Sequence, residues 1–208
     1  MPTLAAEFTE SLKREAPDFG VELPEAHYER LANYYELLLR WNPRLHLVAP
    51  CAPQEFAIRH VLESLTLLKH LPPRAEIVDV GSGAGLPSVP CLLVRDDLRA
   101  TLIESSQKKG IFLNEVLRAA QLAARARLVV SRFEDIAAPL AGFVTCRALD
   151  RFSEMLPQLV QWAPAKATFL LFVGESLRDQ LRTLLDSVQI ERIPHSEKRF
   201  LMIGRKET

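Results

Sequence analysis

Residues 77–85, Ile77-Val78-Asp79-Val80-Gly81-Ser82-Gly83-Ala84-Gly85, constrain this chain more than any other stretch. A short β-branched run ends in three glycines at alternate positions. An apolar strand of that kind suits a parallel sheet, and the glycines let the backbone turn sharply while a ligand approaches it closely. The pattern outlines a nucleotide-type site. Its spacing excludes the dinucleotide fingerprint, which needs glycine at the first, third and sixth places, because the sixth place is Leu86.

Upstream, the pattern is helical. Leu4, Phe8 and Leu12 recur every four residues and predict a helix over 3–16 that Pro17 ends. Pro24 opens a second helix whose buried stripe is Leu31, Tyr34, Tyr35, Leu38 and Leu39, with Pro43 breaking it after Trp41-Asn42. Pro53 opens a third, apolar over a wide arc through Phe56, Ile58, Val61, Leu62, Leu65, Leu67 and Leu68, until Pro72-Pro73 stop it. From residue 76 short apolar runs alternate with amphipathic segments. Strands are expected near 76–80, 100–104, 127–131, 142–146, 167–173, 188–193 and 199–204. Helices are expected near 88–95, 106–123, 133–137, 150–162 and 175–186. The last two strands have too little chain between them for a crossover helix, so they form an antiparallel hairpin at the end of a mostly parallel sheet. The expected division is an N-terminal helical extension, 1–73, followed by a ligand-binding α/β domain, 74–208.

Lys plus Arg number 26 and Asp plus Glu number 26, so a nucleic-acid partner must meet a local basic patch rather than a global charge. Cys51, Cys91 and Cys146 stand far apart with no CxxC pair, which argues against a disulfide framework and a zinc site. Charges interrupt Met1–Asp18, and no apolar run approaches a membrane span. No membrane, no metal, a monomeric state and a cytoplasmic location are the expectations.

Candidate chemistry clusters at the predicted strand ends. Glu104 ends the second strand 19 residues after Gly85, where nucleotide-binding sheets place a carboxylate that accepts both ribose hydroxyls. Ser105 is a natural cap for the following helix, and Lys108 and Lys109 there face either phosphates or solvent. Phe133 and Glu134 follow the third strand and suit stacking and amine recognition of a base, or a core ring and a helix-start charge. Arg147 closes the fourth strand beside the expected reversal of strand order. It either clamps a carboxylate bidentately or pairs with Asp79 or Glu104 as scaffold. Cys146 reads as a buried strand residue.

The run Asp79-x-Gly81-x-Gly83-x-Gly85 resembles the first motif of S-adenosylmethionine-dependent methyltransferases, which implies cofactor contacts at Asp79, Gly81, Gly83 and Gly85. Over residues 24–206 the chain also resembles the bacterial small-subunit ribosomal RNA guanine-N7 methyltransferases, the glucose-inhibited division protein B family. The blocks carrying the likeness occur in order: Arg40-Trp41-Asn42, Arg59 to Ser64, Asp79 to Pro87, Glu104-Ser105 with Lys108-Lys109, Ser131 to Glu134, and Arg147-Ala148. The resemblance implies a Rossmann-like class I α/β fold with an N-terminal helical extension and S-adenosylmethionine as cofactor. It places cofactor contacts on Gly81, Leu86, Phe133, Glu134 and Arg147, with Glu104 on the ribose and Arg147 near the methionine carboxylate. The implied partner is ribosomal RNA or the small ribosomal subunit. Arg59, His60, Lys108, Lys109 and Arg147 are the substrate-side candidates, and His60 and Arg147 the candidate catalytic residues; His60 reads equally as a capped core histidine.

Several positions depart from the family pattern. His46 and Val48 stand in place of Asn and Thr, Glu63 replaces Asp, and Ser88 replaces Gly. Phe172-Val173-Gly174 lies where Lys-Gly is usual, so a positive charge expected at the substrate side of the fifth strand is missing. Two alternatives to the implied activity follow: a non-catalytic RNA-binding or ribosome-assembly protein on the same scaffold, and a methyltransferase with another acceptor.

Overall fold

The computed structural model describes residues 2–147 and 152–206. Among these, seven strands form one sheet: β1 (Glu76–Val80), β2 (Arg99–Glu104), β3 (Ala126–Val130), β4 (Phe143–Arg147), β5 (Thr168–Gly174), β6 (Ser187–Arg192) and β7 (Arg199–Arg205). Their order is β3-β2-β1-β4-β5-β7-β6. The first five run parallel, and β7 lies antiparallel between β5 and β6. The expected parallel sheet with a terminal hairpin is therefore the fold observed. The chain order reverses between β1 and β4, which opens a crevice beyond their carboxyl ends.

The helices are α1 (Leu4–Glu15), α2 (Glu25–Leu45), α3 (Pro53–Phe56), α4 (Glu63–Leu65), α5 (Ser88–Val94), α6 (Gln107–Ala119), α7 (Phe152–Trp162) and α8 (Arg178–Leu184). Alternation along the strands sorts the core into two layers. Ile77, Ala100, Leu102, Leu170 and Leu201 face α1, α2, α5 and α6, joined by Phe8, Leu12, Leu31 and Tyr35 of the N-terminal helices. Val78, Val80, Ile103, Val144, Cys146, Phe169 and Leu171 face α7 and α8. Cys146 is buried, as expected of a strand residue. The N-terminal helices thus share one continuous core with a face of the sheet, and each large side chain fully buried there contributes roughly 1.5–3 kcal/mol.

Some local expectations need correction. Leu4 is 53% exposed, so the buried face of α1 is carried by Phe8 and Leu12. Leu39 is only partly buried against the core. Pro43 lies inside α2 rather than ending it. The helix stops at His46, which adopts a left-handed conformation (φ 48°) and donates its N–H to the Asn42 carbonyl at 2.9 Å. The helix expected over 106–123 closes at Ala119, and that over 133–137 is a single 3-10 turn, Phe133–Asp135. The start of the helix expected at 150, and Ala148 of the Arg147-Ala148 block, lie outside the described residues. The third N-terminal helix is not uniform. A π-helical turn, Ala57–Leu62, separates α3 from α4, and a 3-10 turn, Thr66–His70, follows. Such turns widen a helix and recur at functional sites.

One buried bond joins the N-terminal helices to the glycine turn. The Tyr34 hydroxyl donates to the Ala84 carbonyl at 2.8 Å. Burial pushes the Tyr34 phenol far above its usual range, so it remains a donor at every physiological pH. Tyr34→Phe strips that carbonyl of its donor and should cost about 1–3 kcal/mol, read as a lower urea midpoint with unchanged slope. A loss below about 0.5 kcal/mol would show that the bond does not hold the turn.

Candidate active site

The glycine turn takes its shape from three left-handed residues: Gly81 (φ 72°), Gly83 (φ 52°) and Gly85 (φ 87°). At Gly85 a Cβ would also lie 2.6 Å from Val89 Cγ2, so this glycine lets α5 pack against the turn. The N–H groups of Gly81 and Ser82 both donate to the Ile103 carbonyl, at 2.9 and 3.1 Å. Glu104 fastens the next part of the turn. One carboxylate oxygen accepts from Gly83 N at 2.8 Å, and the other accepts from Ser106 N at 2.8 Å. Each oxygen can accept further hydrogen bonds, so the fixed carboxylate still suits a diol.

These elements border a cavity of about 790 Å³ at the β1/β4 reversal. At one end lie Ile103, Ser131, Arg132, Phe133 and Glu134. Phe133 packs edge-on against Trp162 at 5.3 Å, so it is at once a core ring and a cavity wall. Glu134 meets Arg132 at 2.8 Å; burial pushes its carboxyl up, but this hydrogen bond, a backbone hydrogen bond and the nearby Arg132 charge together outweigh it and leave the group below the usual range. Gly81, Gly83, Leu86 and Glu104 form the middle, and His60 and Arg147 stand at the far end. Lys109 reaches the rim, whereas Lys108 stays in solvent, and exposed Arg59 pairs with Glu55.

Asp79 and Gly85 do not line the cavity. Gly85 supports the turn from behind, and Asp79 is fully buried beneath it. Neither Asp79 carboxylate oxygen has a hydrogen-bond partner among the described residues. Burial pushes this carboxyl up to about 7; Ser88 and Ser82 lean toward it and pull the other way without reaching hydrogen-bond geometry.

Arg147 takes part in a buried charge network. Its guanidinium donates to the carbonyls of Arg59 and His60 in the π turn, approaches His60 Nδ1 at 3.4 Å and meets Glu63 Oε2 at 3.2 Å. It also lies 5.4 Å over the Phe172 ring. Glu63 Oε1 lies 2.6 Å from Arg199 Nη1 on β7, although misaligned for a hydrogen bond. Burial raises the Glu63 carboxyl, while Arg147, Arg199 and Arg59 oppose the rise. Arg147 thus pairs with Glu63, a partner absent from the scaffold alternatives of Asp79 and Glu104.

Leu47 and Ala49 escaped the sequence reading, and Val48 entered it only as a departure from the family pattern. Leu47, Val48 and Ala49 close one side of the cavity. Asn42 holds their loop, donating to the Val48 carbonyl at 3.1 Å and accepting from Val48 N at 3.0 Å. The signals for this loop were the Arg40-Trp41-Asn42 block and the departure at Val48. Met155 of α7 joins the wall as well. Val173, by contrast, is buried in the α7/α8 layer. Its departure from the family pattern does not alter the wall.

A glycine turn at the end of β1, a clamped carboxylate at the end of β2 and a cavity at the strand-order reversal define a class I S-adenosylmethionine-dependent methyltransferase. The cavity has the size of a ligand pocket and offers a carboxylate with lone pairs that suit a diol and a close backbone approach, which fit that cofactor. The chain matches the profile of GidB, rRNA small subunit methyltransferase G, over residues 27–207, and belongs to this family. It is similar to the ribosomal RNA small subunit methyltransferase G of Yersinia enterocolitica, at 33% identity over 181 residues, 84% of each chain. It is also similar to that of Desulforamulus reducens, at 38% identity over 114 residues; this match spans 54% of the chain and 48% of the relative. Among solved structures, M. jannaschii TYW2 in complex with AdoMet aligns with a TM-score of 0.57 at 12% identity, over 70% of this chain and 74% of that one. A Nostoc punctiforme O-methyltransferase structure aligns with a TM-score of 0.58 at 9% identity, over 92% and 71%. These two likenesses show the fold alone.

Two substitutions test the geometry. Glu104→Gln cannot accept both backbone N–H groups with its amide nitrogen, so S-adenosylmethionine affinity should fall at least about tenfold by calorimetry, about 1.4 kcal/mol. Unchanged affinity would remove Glu104 from the site. For Asp79 the sign follows from its raised value: between about pH 4 and 7 the unfolded chain releases a proton that the folded chain retains, so stability falls as pH rises through that window. Asp79→Asn should flatten that dependence and unfold at higher urea than the native protein at about pH 8. Parallel pH curves for the two proteins would refute the buried-carboxyl account.

Proposed function

We propose that this chain transfers the methyl group of S-adenosylmethionine to N7 of a guanine in small-subunit 16S ribosomal RNA. The observation that carries the reading is the cavity running from Phe133 and Glu134, past Glu104, to His60 and Arg147. Phe133 offers a ring for the adenine, Glu134 an acceptor for its amine and Glu104 a carboxylate for the ribose hydroxyls. Gly81, Gly83 and Leu86 shape the backbone beside the cofactor, while Asp79 and Gly85 support that backbone from behind. Arg147 lends positive charge to the methionine-carboxylate end while holding the π turn. When bound, the cofactor supplies an electrophilic methyl group.

Guanine N7 carries a free lone pair, so its attack needs no proton removed beforehand and no metal ion to activate it. Alignment then dominates, and good positioning contributes roughly 7–11 kcal/mol in favourable cases. The π turn, Arg147 and the loop Leu47–Ala49 supply rigid walls for it. Because A-form RNA hides N7 in a deep, narrow groove, the target base should be exposed, flipped or in a distorted junction. Lys109 and Arg132 offer positive charge at the cavity wall for the RNA backbone. The reading takes the chain as a monomer acting in the cytoplasm without a metal. No helix among the described residues is long and apolar enough to cross a membrane.

A non-catalytic assembly role, or another acceptor, drew on Val173 and the altered loop after Trp41. Val173 is buried in the α7/α8 layer and does not line the cavity, which speaks against the first of these reasons. Small subunits from cells lacking the protein, incubated with it and labelled S-adenosylmethionine, should gain one methyl group per particle as 7-methylguanine. Cofactor binding without incorporation would favour the assembly role, and label on another base or molecule the other acceptor.

A further inference from the structure

His60 has two ring edges in different surroundings. It belongs to the π turn Ala57–Leu62, tilts against Phe56 at 5.0 Å and lines the cavity. Its Nδ1 faces Arg147 Nη2 at 3.4 Å. A guanidinium has donors only, so Nδ1 must present its lone pair. In a neutral ring the proton then resides on Nε2. Burial, with Arg147, Arg59 and Arg199 nearby, pulls the imidazole down to about 3, which keeps it neutral at physiological pH. Glu63, buried between Arg147 and Arg199, holds the guanidinium that selects this tautomer. Among the described residues Nε2–H has no acceptor.

We propose that His60 is a specificity-determining residue whose Nε2–H donates to O6 of the target guanine, the oxygen beside N7. The inference rests on the guanine-N7 reading and deepens it. Guanine presents two acceptors, N7 and O6, along this edge; adenine presents N7 beside an N6 amino donor. A fixed neutral donor therefore accepts guanine and opposes adenine. It also leaves N7 free, because the contact is made at the neighbouring atom. Arg147 and Glu63 are positioning residues in this scheme, since they act on the base through the imidazole.

The test uses small subunits rebuilt with guanine, inosine or 2-aminopurine at the methylated position. Inosine keeps O6, whereas 2-aminopurine lacks it. His60→Phe keeps a ring but removes the donor, and His60→Gln restores one. His60→Phe should lower kcat/KM about 10- to 100-fold for guanine and inosine and leave 2-aminopurine unchanged, both in turnover and in competition against the guanine target. The KM for S-adenosylmethionine should not move, and His60→Gln should recover part of the loss. Equal losses on all three bases would mark a purely structural role and overturn the proposal. So would a raised cofactor KM with the base preference unchanged, or a pH-rate limb near 6–7 that vanishes in His60→Gln. Failure of the underlying reading is separate: the native protein would then yield no 7-methylguanine on the guanine target.

Discussion

The clamp that Glu104 places on the glycine turn sets the terms for everything around it. Three left-handed glycines at alternate positions would leave a floppy loop, because glycine loses more freedom on ordering than any other residue. Two backbone N–H groups, from Gly83 and Ser106, converge on one carboxylate and fix the turn relative to the start of α6. Charge-assisted bonds to backbone N–H groups are stronger than neutral ones. The same carboxylate lines the cavity and keeps lone pairs for further hydrogen bonds, so order in the turn and the chemistry of the cavity wall depend on one group.

At the other end of the cavity the constraint is electrostatic. Glu63 is 1% exposed and lies between Arg147 and Arg199. Desolvating such charges is expensive, and losing one partner of a buried pair typically costs 3–5 kcal/mol, so the network gives geometric specificity more readily than net stability. Here the geometry it specifies is a π turn docked onto the ends of β4 and β7. That turn brings His60 to the cavity, where burial and the neighbouring arginines hold its imidazole neutral at physiological pH.

The N-terminal helices belong to this site as much as the sheet does. α2 contributes Tyr34 beneath the glycine turn and Asn42 under the wall loop, and the turn between α3 and α4 contributes His60. Trp41 adds a bond to Glu115 of α6 at 3.0 Å. A single core continuous from Phe8 and Leu12 to Leu170 and Leu201 explains why these contacts are rigid. The boundary seen in composition at Pro72-Pro73 is therefore a change of secondary structure within a shared core.

The sequence by itself determined the strands, their parallel orientation up to the hairpin, and the residues at the strand ends. Those follow from local physics: β-branched runs, proline stops and glycines where the backbone must turn. Local physics also set its limits. Pro43 reads as a stop, yet it lies inside the last turn of α2, which ends at Leu45. Only tertiary structure decided that Asp79 supports the turn from below, that Arg147 pairs with Glu63 rather than with Asp79 or Glu104, that Val173 faces the α7/α8 layer, and that Leu47–Ala49 and Met155 complete the wall. Each of these depends on which distant side chains share a buried volume. Charge, burial and tautomer are properties of that volume, so no spacing along the chain encodes them directly.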